Sequence, residues 1–417
     1  MANHNIFLKT VLAATLMALP ALSHAKHWVG GDISLLPEYE KAGAAYRQHD
    51  GKPIDQALPF FKQEGMNAMR VRLFVNPSAY TGSDKDPNAC QSLEYIIPLC
   101  KEIRDAGLAL MLDFHYSDTW ADPEKQYTPA GWANLSDDQL YDKIYDYTRE
   151  TLLTLREHGI VPEFIQTGNE ISYGMLWGPE GTPESAKKKC YTNSAANWER
   201  FGALLRQAIK ACGEVCPDAR IVIHTERVAQ PAVLKAFYQK MEQLQVDYDI
   251  IGLSYYPYFH GNMSVLDTAL GTLESSFPGK EIMIVETGYP YKWEVPGTTE
   301  KVDYPYTDAG QDSFAKALVS TLEAHSQVDG LFWWWMEYNA YGTSLTGWYN
   351  APLFDSTTGM ATAALSTICT FAKDSGIDSV GADGDDIPEV WYDLAGRPVT
   401  NPASRGLYIS KGRKILR

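Results

Sequence analysis

The chain has 417 residues, 45% of them hydrophobic and 21% charged, the balance of a soluble globular protein. Its formal charge of −16, from 52 acidic against 36 basic side chains, argues against a nucleic-acid or anionic-membrane partner and favours a neutral substrate. Eleven Trp and 25 Tyr serve either a large core or a cleft in which sugar rings stack.

Residues 1–25 are expected to be a signal peptide. Lys9 precedes the apolar run TVLAATLMALPAL, and Ser23-His24-Ala25 offers small residues where a signal peptidase reads. That run is too short for a bilayer, and no other stretch of about 20 apolar residues follows, so an exported chain without a membrane span is expected.

Short apolar or β-branched runs then recur at 27–34, 68–75, 108–116, 163–170, 220–226, 249–257, 281–289 and 330–337. Amphipathic helical segments lie between them, as at 138–158, 195–211, 231–244 and 311–326. Eight strand–helix units predict a protein of the α/β class, a (β/α)8 TIM barrel over 26–375. A doubly wound sheet also alternates, but no glycine-rich phosphate loop follows the first strand.

The strand ends are polar. Arg70 and Arg72 share one face of the second strand, and Asp113, His115 and Asp118 follow the third. Asn169 and Glu170 end the fourth, His224 the fifth, Tyr255 and Tyr256 the sixth, and Glu286 the seventh. Trp333, Trp334 and Trp335 crowd the eighth. In a barrel these ends meet at one face, where active sites of this fold lie.

Residues 376–390, GIDSVGADGDDIPEV, form a Gly- and Asp-rich linker, and the remainder to residue 417 alternates in strand fashion around Gly and Asn-Pro turns. So short a β-rich C-terminal tail buries little core by itself, so it either packs on the barrel or serves as a recognition tail. Six cysteines (90, 100, 190, 212, 216 and 369) are an even number in an exported chain. Cys212 with Cys216, and Cys90 with Cys100, can be drawn as structural disulfides, although connectivity is open.

Glu170 and Glu286 carry the chemical argument. Retaining cleavage of a glycosidic bond needs one protonated and one ionised carboxyl about 5–5.5 Å apart. The fourth and seventh strand ends face each other across a barrel mouth. Arg70 or Arg72 can hold Glu286 ionised, and Asn169 can donate to a sugar hydroxyl. His224 is either a hydrogen-bonded core histidine or a sugar contact. Trp120, in a loop, is expected to be a stacking surface, because an exposed tryptophan is costly unless covered. Asp113 and His115 lack the further histidines a barrel metal site recruits. A serine hydrolase lacks its GxSxG elbow here, and a non-catalytic carbohydrate-binding barrel does not need two opposed glutamates.

The strings GGDISLLPEYEKAG, MRVRLFVNP, DFHYSDTWADP, QTGNEISYGMLW, IGLSYYPYFHG and VETGYPY, in that order, resemble glycoside hydrolase family 53, the endo-β-1,4-galactanases. The resemblance covers about residues 29–372. It implies Glu170 as general acid/base, Glu286 as nucleophile and Asn169 as the ligand of the hydroxyl beside the anomeric carbon. It further implies a central subsite lined by Arg70, Arg72, His115, Asp118, His224 and Tyr256, to which Asp113 and Trp334 are added, with Trp120 as a stacking surface. The implied substrate and partner is β-1,4-galactan of pectin side chains, cut internally; a mannanase or glucanase of the same superfamily is the alternative. A monomer is expected, with no required cofactor. Some members bind calcium after the seventh strand, and here residues 291–309 hold Glu294, Glu300, Asp303 and Asp308. The family's Trp-Glu-Pro run is replaced by Trp334-Trp335-Met336-Glu337-Tyr338. The tail is similar to C-terminal segments of secreted Bacteroidetes-type proteins, implying the periplasm or surface of a Gram-negative cell.

Overall fold

A computed structural model describes residues 27–339 apart from 84, 184, 186–193 and 293. It also describes 351–372 and four strands of the C-terminal segment. The expected signal peptide, Cys190 and the 376–390 linker lie outside the described residues.

Eight parallel strands follow one another around a single sheet: β1 (Trp28–Gly31), β2 (Ala68–Leu73), β3 (Ala109–Phe114), β4 (Phe164–Thr167), β5 (Arg220–Thr225), β6 (Ile250–Tyr255), β7 (Glu281–Thr287) and β8 (Val328–Trp333). Hydrogen-bonded neighbours run β1-β8-β7-β6-β5-β4-β3-β2, and a parallel bridge between Asp32 and Arg70 closes the ring. The (β/α)8 barrel expected from the sequence is therefore the fold. Gly30 makes the closure possible: a Cβ there would stand 1.8 Å from the carbonyl oxygen of Ala68.

The predicted helices are present with shifted ends, among them Asp137–Glu157, Ala195–Val215, Pro231–Gln243 and Asp308–Glu323. Ser136 opens the first of these with a capping box, accepting from the Gln139 amide while the Gln139 side chain accepts from the Ser136 amide. Further helices at Ala57–Glu64, Leu93–Asp105, Met263–Ser276 and Ala363–Cys369 complete the outer layer.

Strands buried on both faces leave alternate residues pointing into the barrel. The lower inward layer is apolar, formed by Ala68, Met111, Phe164, Val222, Ile250, Met283, Val285 and Phe332. Two residues further along, the inward positions become Arg70, Asp113, Gln166 and His224, and on β6 Ser254 follows after Ile250 and Gly252. The same period of two that builds the core thus delivers polar groups to the mouth.

Two expectations change. The eighth strand is Val328–Trp333 rather than 330–337: its ladder to β7 ends with the Trp334 amide on the Thr287 carbonyl, and Trp335 then takes a left-handed backbone (φ 55°). Cys90, Cys100, Cys212 and Cys216 are thiols, not disulfides. Cys100 sits well inside the helix Leu93–Asp105 while Cys90 precedes its cap, so about two turns of helix separate them, beyond disulfide reach. Cys212 and Cys216 occupy the last turn and cap of one helix, where the Cys216 amide bonds to the Cys212 carbonyl. The C-terminal segment forms a four-stranded antiparallel sheet, in keeping with its alternation.

Candidate active site

Glu170 is presented by an abrupt exit from β4. Gly168 (φ 109°) and Glu170 itself (φ 46°) both take left-handed backbone, which a glutamate adopts only when its surroundings compel it. Its Oε1 accepts a 2.6 Å hydrogen bond from Ser254 Oγ on β6, and Ser254 Oγ lies 2.8 Å from His224 Nε2. Burial drives the Glu170 carboxyl well above its ordinary pKa, and the charges of Glu286 and Glu226 add to the effect. Burial and the Arg70 guanidinium hold His224 well below the ordinary imidazole value, so this ring is neutral.

Glu286 reaches the mouth through a register break. Leu253 of β6 pairs with Ile284, but the next residue, Ser254, pairs with Glu286, leaving Val285 as the extra residue of a bulge. Glu286 Oε1 lies 2.9 Å from Arg70 Nη2, and Oε2 accepts from Tyr256 Oη at 3.2 Å. Burial pushes Glu286 up to about 7, with Arg70 pulling the other way. Arg70, fully buried, also bonds Asp113 (2.8 Å), Asn169 Oδ1 (2.9 Å) and Gln166 (3.3 Å), with Asp32 at 3.4 Å. Of the two arginines left open by the sequence, Arg70 is the one that pairs with Glu286. Arg72 instead bonds Asp32 at 2.6 Å, and its guanidinium stands 4.8, 5.3 and 5.2 Å from the Trp120, Trp334 and Trp335 rings.

Both glutamates line one cavity of about 620 Å³, walled also by Asp86, Trp120, Asp122, Asn169, Glu226, Tyr256, Phe259, His260, Trp334 and Trp335. Trp120 is fixed there by its indole N–H, which donates to Asp86 at 2.9 Å. A cleft of about 670 Å³ elsewhere, between Tyr46, Leu58 and Glu102, contains none of these strand ends.

Several residues expected to touch a sugar lie beneath the cavity instead. Arg70, Arg72, Asp113, His115 and His224 are each at most 1% exposed and are absent from its wall. Their polar atoms are turned to one another and to the carboxylates: His115 Nε2 lies 3.0 Å from Asp113, and His115 Nδ1 accepts from the Ala121 amide. His224 is the hydrogen-bonded core histidine of the two alternatives. Asp118 is also outside the wall, its two oxygens taken by the amides of Asn76 and Ala130, so it braces two loops. Asn169, Glu170, Trp120, Tyr256, Glu286 and Trp334 do come together.

Sequence reasoning passed over Asp32, Gln166, Glu226 and Ser254, and named Trp335 only as one of three tryptophans crowding the end of the eighth strand. Alternation along β4 and β6 from Phe164 and Ile250 marks Gln166 and Ser254 as inward, and Glu226 is the last residue of the run 220–226. Trp335 had no such signal, because its direction depends on the left-handed turn after β8. In the loop after β7, Glu294, Glu300, Asp303 and Asp308 are exposed, and among the described residues no three His, Cys, Asp or Glu side chains gather to hold a metal.

Buried carboxylates of unequal environment in an aromatic-walled barrel mouth are the equipment of a glycosidase. The family model described as Glycosyl hydrolase family 53 matches residues 28–368. The chain belongs to glycosyl hydrolase family 53. It is thus a glycoside hydrolase, as the sequence resemblance implied. An arabinogalactan endo-beta-1,4-galactanase of Cellvibrio japonicus is 32% identical over 374 residues, covering 84% of this chain and 93% of that one. The arabinogalactan endo-beta-1,4-galactanase A of Aspergillus niger is 32% identical over 346 residues, 79% of this chain and 91% of its own. The solved catalytic domain of this family from Ignisphaera aggregans superposes with a TM-score of 0.71 at 29% identity, covering 86% of this chain and 99% of that one. A family 10 xylanase, at 14% identity and a TM-score of 0.53, shares the fold alone; it covers 82% of this chain and 96% of its own.

Proposed function

We propose that this family 53 hydrolase is an endo-β-1,4-galactanase that cuts internal bonds of the galactan side chains of pectin with retention of configuration. The observation that carries the reaction is the asymmetry of the pair. Glu286 is held between Arg70 and Tyr256, which stabilise a carboxylate, whereas Glu170 has no cationic partner in its hydrogen bonding and is bonded by the Ser254 hydroxyl. The names of the Cellvibrio and Aspergillus relatives support galactan as the substrate.

In the first step the Glu286 carboxylate attacks the anomeric carbon while Glu170 gives its proton to the departing glycosidic oxygen. The carbon–oxygen bond to the leaving sugar breaks and an ester to Glu286 forms. Glu170, now ionised, takes a proton from water, whose oxygen attacks the same carbon and returns Glu286 as a carboxylate. Asn169, aligned by Arg70 and the Ala121 carbonyl, meets the hydroxyl next to the anomeric carbon. Trp120 and Trp334 offer stacking faces. Residues 1–25 are proposed to direct export to the periplasm or cell surface, where such a polymer is met.

Reducing-end release with product profiling on linear galactan, mannan, xylan and mixed-linkage glucan tests the substrate. Short oligosaccharides from galactan alone are expected; cleavage of another glycan instead discards galactan while keeping the two glutamates. The pH profile follows from the same pair. The active form has Glu286 ionised and Glu170 protonated, so kcat/KM falls as pH drops through about 7 and falls again as pH rises through the raised pKa of Glu170. An acid limb in the ordinary carboxylate range near 4 contradicts this account of Glu286.

A further inference from the structure

Glu226 directly follows β5 and stands in the cavity wall beside Glu170, yet the two steps above give it no task. Its Oε1 is occupied: Ser172 Oγ donates to it at 2.6 Å, and Arg227 Nη1 lies 3.6 Å away. Its Oε2 is withdrawn from solvent and has no hydrogen-bond partner among the described residues. An unpaired carboxylate oxygen is expensive to hold in a buried place, and it is retained where a ligand completes it.

The position of Glu226 says which ligand. A line from Glu170 on β4 to Glu286 on β7 divides the barrel mouth. On one side, over β8, β1, β2 and β3, lie Trp120, Trp334, Trp335 and the Arg70 guanidinium that orients Asn169. On the other, over β5 and β6, lie Glu226, Phe259 and His260. Asn169 serves the sugar under attack, so that sugar occupies the tryptophan side and the sugar that leaves extends over β5 and β6. We propose that the Glu226 carboxyl, turning its unpaired Oε2 toward the cavity when sugar binds, accepts a hydrogen bond from a hydroxyl of the leaving-group sugar. This assignment rests on the glycosidase reading and adds a residue that selects what is expelled. The apolar faces of Phe259 and His260 complete a floor on which that ring rests.

The test compares two substrates that differ only in what leaves. Galactotetraose expels a sugar, whereas phenyl β-galactotrioside expels a phenol, which still needs protonation but has no sugar hydroxyls. Glu226→Ala is expected to lower kcat/KM on galactotetraose about ten- to a hundredfold, and on the phenyl glycoside by less than about twofold. Glu226→Gln keeps the side-chain volume and an amide near the same hydroxyl, so its loss on galactotetraose is expected to be smaller, with the phenyl glycoside again unaffected. Equal losses on both substrates mean that Glu226 acts through Glu170 or through the fold, and overturn the proposal; so does no loss on either. Should Glu226→Ala fail to fold, the ratio between the two substrates for Glu226→Gln decides. A wild-type enzyme that cleaves neither substrate defeats the galactanase assignment instead, and the same comparison is then made on phenyl and oligosaccharide forms of the glycan it does cleave.

Discussion

Glu286→Gln is expected to lower turnover of galactan roughly 10⁴- to 10⁶-fold, the scale seen when an enzymic nucleophile is removed. An amide cannot form the ester intermediate, yet it fills the same space. Its oxygen still accepts from Tyr256 Oη, which in the native protein is 3.2 Å from Glu286 Oε2. Glu170→Gln is expected to cost about 10²–10⁴ on galactan, the usual range for a general acid. The same variant should lose far less on an aryl galactoside whose phenol leaves without protonation. That difference separates the two roles, since removing the nucleophile slows every substrate. Steady-state rates on galactan and on an activated aryl glycoside, with circular dichroism to verify the fold, are sufficient. An active Glu286→Gln enzyme would undo the mechanism.

Removing Arg70 is expected to have the largest effect on the fold. Its guanidinium is fully buried and is the shared partner of Asp32, Asp113 and Glu286. Arg70→Met leaves Asp113 and Glu286 without their guanidinium, while Asp32 keeps Arg72 at 2.6 Å. Breaking a buried pair by deleting one partner costs about 3–5 kcal/mol, and here two carboxylates are left behind. A lower denaturant midpoint is therefore expected, read by fluorescence of the tryptophans. The sign of the accompanying pH effect is also determined: Arg70 lowers the Glu286 pKa, so its loss raises that pKa and moves the acid limb of the rate profile upward. Arg70→Lys keeps the charge but loses the planar fork, and should fall between wild type and Arg70→Met in both measurements. An unchanged midpoint for Arg70→Met would show that the carboxylates protonate or find water at no cost, and that Arg70 is not the keystone of this cluster.

Much of the site was legible because a barrel strand has a period of two. Arg70 and Arg72 on β2, and Asp113 and His115 on β3, lie on the inward face by parity alone. Asn169 and Glu170 terminate an apolar run and so had to lie at its open end. What parity does not reveal is depth. Arg70, Asp113, His115 and His224 were expected to meet sugar, but they are one layer down, where they bond to the carboxylates and to Asn169 rather than to the cavity. Asp118 and Asp86 show the same limit in loops: one is spent on the Asn76 and Ala130 amides, the other holds the Trp120 indole. Nothing in the sequence distinguishes them.

The sequence by itself determined the barrel, the family and the position of Glu170 and Glu286 at the barrel mouth. Those depend on the repeated alternation of strand and helix and on short strings whose residues are neighbours in the chain. The tertiary structure decided which arginine partners Glu286, that four cysteines stay as thiols, and which tryptophans wall the cleft. It also decided how Glu286 reaches the mouth at all. Val285 and Glu286 are consecutive, and strict alternation would send them to opposite faces, yet Val285 joins the inner apolar layer and Glu286 lines the cavity. The bulge against β6 permits both. A bulge is set by how two strands distant in sequence pair across a closing sheet, and no local pattern records that pairing.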